Sequence, residues 1–357
     1  MCFRSAVRKM QLLSLGLSAA ALSQSDAQTE HRTLSGDRVS IYNLAGKLRL
    51  QPGSGAQVVV DVTRGGGDAS KLKLATGDIR GWNSLRVVYP SDRIVYPDMG
   101  YRSRTQLRVN GDGTFDDKEG DHGFFDRDRV EIRGSGPGLE AHADMTVSIP
   151  KGQRIVIHWG VGDATVTNVD GDIRVSVATA TVTSEHTKGR LNLDTGSGAV
   201  KITDAQGDVT LDTGSGGVTV TGVKGETLNI DTGSGSITGS DIDVRTLKAD
   251  VGSGGIRLGR IHASHASVDA GSGGTELEFL SALDDLAVDA GSGGVTIRLP
   301  AAQGADVEIE TGSGGIESDF PVQTNKVQRN YLRGRIGDGK GRIKIESGSG
   351  RVRLIKN

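Results

Sequence analysis

The sequence predicts an all-β, single-domain, β-solenoid-like superhelix of stacked short strands with a period of about 19 residues. Three observations predict it. A five-residue corner sequence recurs at a nearly fixed interval, and each copy is flanked by short runs in which apolar and polar residues alternate. Glycine, with 54 of 357 residues, is about twice its usual share, while only 4% of residues are aromatic. A hydrophobic fraction of 35% suits a thin interior of Val, Ile and Leu better than a thick globular core.

Residues 1–27 read as a secretory signal peptide. Arg4, Arg8 and Lys9 form a positive start, Leu12 to Leu22 a short apolar core, and Ser25 and Ala27 the small residues before a cut at Gln28. The apolar core is too short for a membrane span, so the mature chain is expected to have none and to be exported to the periplasm or cell surface. Cys2, the single cysteine, would leave with the signal, which rules out disulfides in what remains. Removing residues 1–27 takes away three basic residues and one acidic residue, moving the net charge from −2 to −4. That balance gives no reason to expect a nucleic-acid partner.

Residues 28–140 are expected to be a β region with irregular aromatic and acidic loops. Val39 and Ile41, Leu48 and Leu50, and Val58 and Val60 alternate as strand residues do. Trp82, Tyr89, Tyr96 and Tyr101 then gather most of the large aromatic residues, either to cap a solenoid core or to stack on sugars or peptides. Between Leu107–Val109 and Val130–Ile132 lies a polar excursion, 110–128. Its Asp112, Asp116, Asp117, Glu119 and Asp121 are hard oxygen donors of the kind calcium takes, which makes calcium the one candidate cofactor. The twelve-residue calcium loop is not matched, because Phe115 stands where glycine is needed and Asp121 where glutamate is needed. A solvated acidic hairpin loop accounts for the same residues.

Residues 141–325 carry the regular superhelix. Asp194-Thr-Gly-Ser-Gly, Asp212-Thr-Gly-Ser-Gly, Asp231-Thr-Gly-Ser-Gly, Asp250-Val-Gly-Ser-Gly, Asp269-Ala-Gly-Ser-Gly, Asp289-Ala-Gly-Ser-Gly and Glu310-Thr-Gly-Ser-Gly precede a last copy, Glu346-Ser-Gly-Ser-Gly. From one first glycine to the next the steps are 18, 19, 19, 19, 20, 21 and 36. Glycine at a corner permits positive φ and close approach of neighbouring coils, and the serine hydroxyl is expected to bond the turn backbone. The acid before each corner is expected to face outward and form a ladder. Like charges so stacked repel, and turn N–H groups, basic side chains or cations are the available compensation, the turn N–H groups being preferred. The calcium β-roll pattern Gly-Gly-x-Gly-x-Asp is absent.

The last step of 36 reads as two units, with 334–341 as a drifted middle turn. Residues 326–357 are expected to form basic capping coils, in which ten Lys and Arg face only Asp338 and Glu346. Such a charged end blocks edge-to-edge aggregation, and it also suits an anionic envelope polymer or lipid headgroups.

No Walker, dinucleotide-binding or His-Glu-x-x-His sequence occurs, and His142, His158, His186, His262 and His265 lack ligand or base spacing. At Gly46-Lys-Leu-Arg-Leu50, Met145-Thr-Val-Ser-Ile-Pro150, Gln153-Arg-Ile-Val-Ile157, the Gly-Asp starts at 162, 171 and 207, and the repeated corners, the chain resembles the bacterial DUF4097 family. That family of candidate adhesins is also called the toastrack domain. The resemblance covers roughly 35–357 and is strongest from 143 to 317. It implies a β-strand superhelix associated with the cell envelope, with no established enzymatic activity or cofactor, and it transfers no binding residues. Two functions follow: a non-enzymatic envelope structural, adhesion or binding protein whose partner is an envelope polymer or protein, or a solenoid carbohydrate-active lyase or hydrolase.

Overall fold

A computed structural model describes residues 29–116 and 127–357. The segment expected to be a signal peptide lies outside these residues, as does most of the acidic excursion. The described chain is almost entirely β: one 26-stranded sheet wraps into a two-faced solenoid and a four-stranded sheet packs on its side. Each regular coil contributes one strand to each face, and both faces are built by parallel pairing with the coil before and the coil after. On the first face Leu191 pairs with Val209, Val209 with Leu228, and Leu228 with Leu247. On the second, Val200 pairs with Val218, Val218 with Ile237, and Ile237 with Ile256. The offsets reproduce the 18- and 19-residue spacing of the corners, so the sequence period is the length of one coil.

Alternation places one apolar row in and one polar row out. Leu193, Leu211 and Ile230 stack in one buried row, and Val200, Val218 and Ile237 stack opposite them. Strands of this length do not persist alone. Each is held because its neighbours bury its apolar side and saturate both of its backbone edges.

The corner sequences divide their tasks differently from expectation. The residue after the acid is buried, and its hydroxyl bonds the turn: Thr195 donates to the Ser197 carbonyl, Thr232 to that of Gly216, and Thr311 to that of Gly314. Ser347 stands in that same place and bonds Gly350, whereas of the serines between the two glycines Ser197 makes a side-chain hydrogen bond among the described residues, to the Thr179 hydroxyl at 3.3 Å. The turn N–H groups are also committed. Gly198, Gly216, Gly235 and Gly254 each donate 2.9 Å bonds to the serine carbonyl of the next coil. These four N–H groups are therefore unavailable to the acidic ladder.

A second corner column lies opposite. Asn168, His186, Asp204, Asp241 and Arg260 all have φ between 49° and 59°, and Gly222 has φ 71° in the same column. One left-handed residue per coil thus turns the chain from the second face toward the first.

Coil order departs from chain order at the C-terminal end. Strand Gly341–Ser347 pairs in parallel with both Asp285–Ser292 and Ala305–Thr311. Its companion Val352–Lys356 pairs with both Val295–Leu299 and Ile316–Ser318. The last coil is therefore inserted between two earlier ones, and the step of 36 is not two successive units. The gap holds an antiparallel hairpin, Gln323–Gln328 with Tyr331–Ile336, laid against Ala305–Thr311. Gly337 and Gly339, both at positive φ, turn the chain from that hairpin into the inserted coil. The basic stretch is thus split, half on the outer hairpin and half one coil further in.

The side sheet comprises Arg93–Val95, Arg104–Asn110, Arg127–Arg133 and Leu139–Glu140. Ile94, Val109, Val130 and Ile132 close over Tyr42, Leu44 and Val161 of the solenoid in a second, smaller core.

Candidate functional site

Register turns the acids before the corners into one continuous outward row. Asp194, Asp212, Asp231, Asp250, Asp269 and Asp289 pair in succession, then Glu346 and finally Glu310 in spatial order. Neighbouring coils lie about 4.8 Å apart. Among the described residues, no basic side chain forms an ion pair with Asp212, Asp231, Asp250, Asp269 or Asp289. Partial burial, and then the like charges of Asp250 and Asp212, push the Asp231 carboxyl above its ordinary pKa. Burial, and then Asp250 and Asp289, do the same to Asp269.

Toward the N-terminus the row changes chemistry. Asp194 pairs with Ser176, Ser176 with His158, His158 with Tyr42, and Tyr42 with Arg86. The Tyr42 and His158 rings stack at 4.4 Å and 3°, with Phe115 edge-on to both. Ser176 donates a short hydrogen bond to the Asp116 carboxylate, whose oxygen lies 3.9 Å from His158 Nδ1. A cavity of about 230 Å³ opens here, lined by Tyr42, Trp82, His158, Arg174 and Ser176 among others. The serine hydroxyl is thus directed at the carboxylate.

Of the calcium candidates, Asp117, Glu119 and Asp121 lie outside the described residues. Asp112 accepts the Thr114 N–H at 3.0 Å, the Thr114 hydroxyl at 2.8 Å and Arg86 at 3.1 Å. Burial opposes its charge, but these three donors outweigh it and hold the carboxyl below its usual pKa. Its oxygens are thus engaged in a local turn, whereas Asp116 is held by Ser176. No group of three or more His, Cys, Asp and Glu side chains gathers as a metal would require among the described residues.

The side sheet carries a surface that sequence reasoning did not single out. In its long hairpin Arg104 lies directly opposite Arg133, and Arg108 directly opposite Arg129, with Gln106 opposite Glu131 between them. Arg93 extends the middle row, since it pairs with Glu131. Five arginines and one glutamate therefore share a face turned away from Leu107, Val109, Val130 and Ile132. Arg133 occupies that glutamate at 2.7 Å, and Arg133, Arg104 and Arg93 together hold its carboxyl below the usual range. The alternation in Arg104-Thr-Gln-Leu-Arg108 and Arg129-Val-Glu-Ile-Arg133 was the available signal, but it appears only once the two strands are aligned.

The aromatic residues do not form one exposed platform. Tyr96 is buried, and Tyr89 donates to Asn43 Oδ1 at 2.8 Å and to the Ala45 carbonyl at 3.0 Å. Tyr101 alone of the four stands well exposed, with Arg102 against its ring. The histidines are dispersed. His142 lies against Tyr96, His186 occupies the second corner, and His262 and His265 pair with different residues of the preceding coil.

Among the described residues no helix is long and apolar enough to cross a membrane. No curated protein matches the chain. Among solved structures, a candidate cell adhesion protein from Clostridium sporogenes matches 92% of this chain and 99% of its own, at 10% identity and a TM-score of 0.19. A score that low carries no argument for shared function. The description of the toastrack DUF4097 family matches residues 131–354, well over half of the chain, and so the protein belongs to that family.

Proposed function

We propose that the protein is a non-enzymatic, exported binding or scaffold module of the cell envelope, and that the arginine face of its side sheet contacts an anionic envelope polymer. The observation that carries this reading is the directly opposed pair Arg104 and Arg133, with Arg93 and Arg129 on the same face. Like charges placed opposite each other weaken a hairpin, and bound carboxylate or phosphate groups relieve that cost through charge-assisted, often bidentate hydrogen bonds. The carboxylates of the solenoid support the same reading from the other side. They form a column of like charge along one face instead of an acid and a base flanking a cleft, which is what glycoside cleavage needs.

The test is co-sedimentation of residues 28–357 with washed cell-envelope fractions across a salt series, with and without calcium. Saturable pelleting that fades with salt and is lost in the Arg104→Gln/Arg129→Gln variant is the expected result. Pelleting that the variant retains in full removes the arginine face from the reading. Absence of pelleting under every condition removes the envelope-binding role, and release of product from a glycan would replace it with the enzymatic one. Calcium-dependent pelleting would return attention to Asp112, Asp116, Asp117, Glu119 and Asp121.

A further inference from the structure

The inserted C-terminal coil rests in a slot with two complementary walls. On one side Gly341–Ser347 pairs with Asp285–Ser292, and Arg342 N–H donates to the Asp284 carbonyl at 2.9 Å. On the other it pairs with Ala305–Thr311, and Gly341 N–H donates to the Gly304 carbonyl at 3.0 Å. Ile343, Ile345, Val352 and Leu354 are buried between the two coils. The corner glycines run through without a break: a Cβ on Gly348 would lie 2.1 Å from the Gly291 carbonyl oxygen, and one on Gly312 would lie 2.1 Å from that of Gly348. Asn357 sets its N–H on the Leu299 carbonyl and its amide on that of Phe279.

The fold spends specific residues on keeping this slot open. The connection from the coil ending at Leu299 to the strand starting at Ala305 must step over one coil. Gln303, buried at 2% exposure, bridges that step. It accepts the Leu283 N–H at 2.8 Å and donates to the carbonyls of Leu283 and Gly304 at 3.1 and 2.9 Å. During synthesis both walls of the slot precede its occupant, because residues 341–357 follow 285–299 and 305–318 in the chain. The occupant is tethered through Gly337-Asp-Gly-Lys340, a short hinge with two left-handed glycines.

We propose that residues 341–357 are an exchangeable donor coil, and that a second copy of this chain is the partner that fills the slot in trans. A strand addition that pairs on both edges supplies main-chain affinity, while the buried rows and the glycine corner select the sequence. A foreign peptide would need two strands joined by a Gly-Ser-Gly corner, whereas every copy of the chain carries that segment. A short hinge beside an element with identical contacts in cis and trans is the arrangement from which swapped dimers form.

The test uses full chains in a Cys2→Ser background. Ala287 and Lys344 are register partners across the slot on its outer side. The Ala287→Cys/Lys344→Cys double variant should close an intrachain disulfide as a monomer, and failure to do so overturns the placement of the donor coil. Separate Ala287→Cys and Lys344→Cys chains, refolded together, should give a crosslinked heterodimer at least tenfold above a control. That control mixes Lys248→Cys and Ser267→Cys chains, whose register lies in the uninterrupted middle of the solenoid. Equal yields in the two mixtures would mean non-specific association and would overturn the proposal. A second variant guards against cysteine-induced misfolding. Deleting Asp338 and Gly339 from the hinge should make a dimer the main species by light scattering, and a purely monomeric deletion variant would also overturn it.

Discussion

Gly216→Ala is expected to cost about 3–5 kcal/mol of stability, whereas Gly217→Ala, one residue on, should cost nothing measurable. Gly216 has φ +143°, where a side chain brings strain of about 1–2 kcal/mol. Its added Cβ would sit 2.0 Å from the Gly198 oxygen and 2.6 Å from the Gly198 carbon of the preceding coil. No rotamer relieves a clash with backbone, so the coils must part, and overpacking of that kind costs about 1–3 kcal/mol. Parting also lengthens the 2.9 Å bonds from Gly198 N–H to Ser215 and from Gly216 N–H to Ser234, each worth about 1 kcal/mol net.

Gly217 differs on every count. Its nearest neighbour is the Ser236 oxygen at 3.8 Å, and the matching places in the coils below and above are already Ala199 and Ser236. Removing its freedom in the unfolded chain makes a gain of up to about 0.5–1 kcal/mol the expected direction. Urea unfolding followed by far-ultraviolet circular dichroism reads both effects, with a broadened transition in Gly216→Ala if the coils uncouple. Similar losses in the two variants, or a loss below about 1 kcal/mol in Gly216→Ala, would refute the close-approach account of the corner.

Thr275→Val should stabilise by about 1 kcal/mol, because the buried Thr275 hydroxyl has no hydrogen-bond partner among the described residues and its row neighbours are Ile256 and Val295; a lower urea midpoint would contradict this. Asp231→Asn should raise stability by about 0.5 kcal/mol at low salt, and less as salt screens the ladder, by relieving the pairs with Asp212 and Asp250. The pH sign follows from the raised carboxyls of Asp231 and Asp269. Their folded forms hold protons more tightly than the unfolded chain does, so their contribution is most favourable below the ordinary carboxylate pKa and is lost as pH rises through the raised one. Asp231→Asn should therefore differ most from the parent chain above that window, and identical pH profiles would remove the ladder as a source of strain.

The body of the solenoid was legible in the sequence because its corner tolerates so little. Two positions per coil admit no Cβ, so Gly-x-Gly recurs, and the alternation on either side fixes which residues face inward. The second corner was not legible, because a left-handed residue there has room for a side chain. Asn168, His186, Asp204, Gly222, Asp241 and Arg260 share a backbone conformation and no side-chain chemistry. The outward acid row could be read from spacing, but not that the N–H groups of Gly198, Gly216, Gly235 and Gly254, close to the acids in sequence, bond forward to the next coil. The arginine face was hidden for a different reason. Its charges come from strands separated by the acidic excursion, and only the hairpin register sets Arg104 against Arg133.

The order of the coils is where local sequence carries least information. Interior coils present nearly identical rows, so Gly341–Ser347 meets the pairing rules equally well against Asp285–Ser292 and Ala305–Thr311, and in the structure it satisfies both. The N-terminal end shows the same insertion. Arg38–Ala45 lies between Gln153–Val161 and Trp82–Val88, so the first regular strand of the chain is not the outermost of its face. Beyond the inserted strands, three of the four terminal edges among the described residues finish in antiparallel pairs: Lys73–Ile79 on Trp82–Val88, Thr29–Leu34 on Val58–Gly65, and Gln323–Gln328 on Tyr331–Ile336. An antiparallel partner needs only a local turn, whereas another parallel coil would expose one more edge of the same kind. A stack of interchangeable coils has no internal reason to stop. Its length is set by these hairpins and by inserting a late or early coil behind them, which ties the ends of the solenoid to segments that would otherwise add to it.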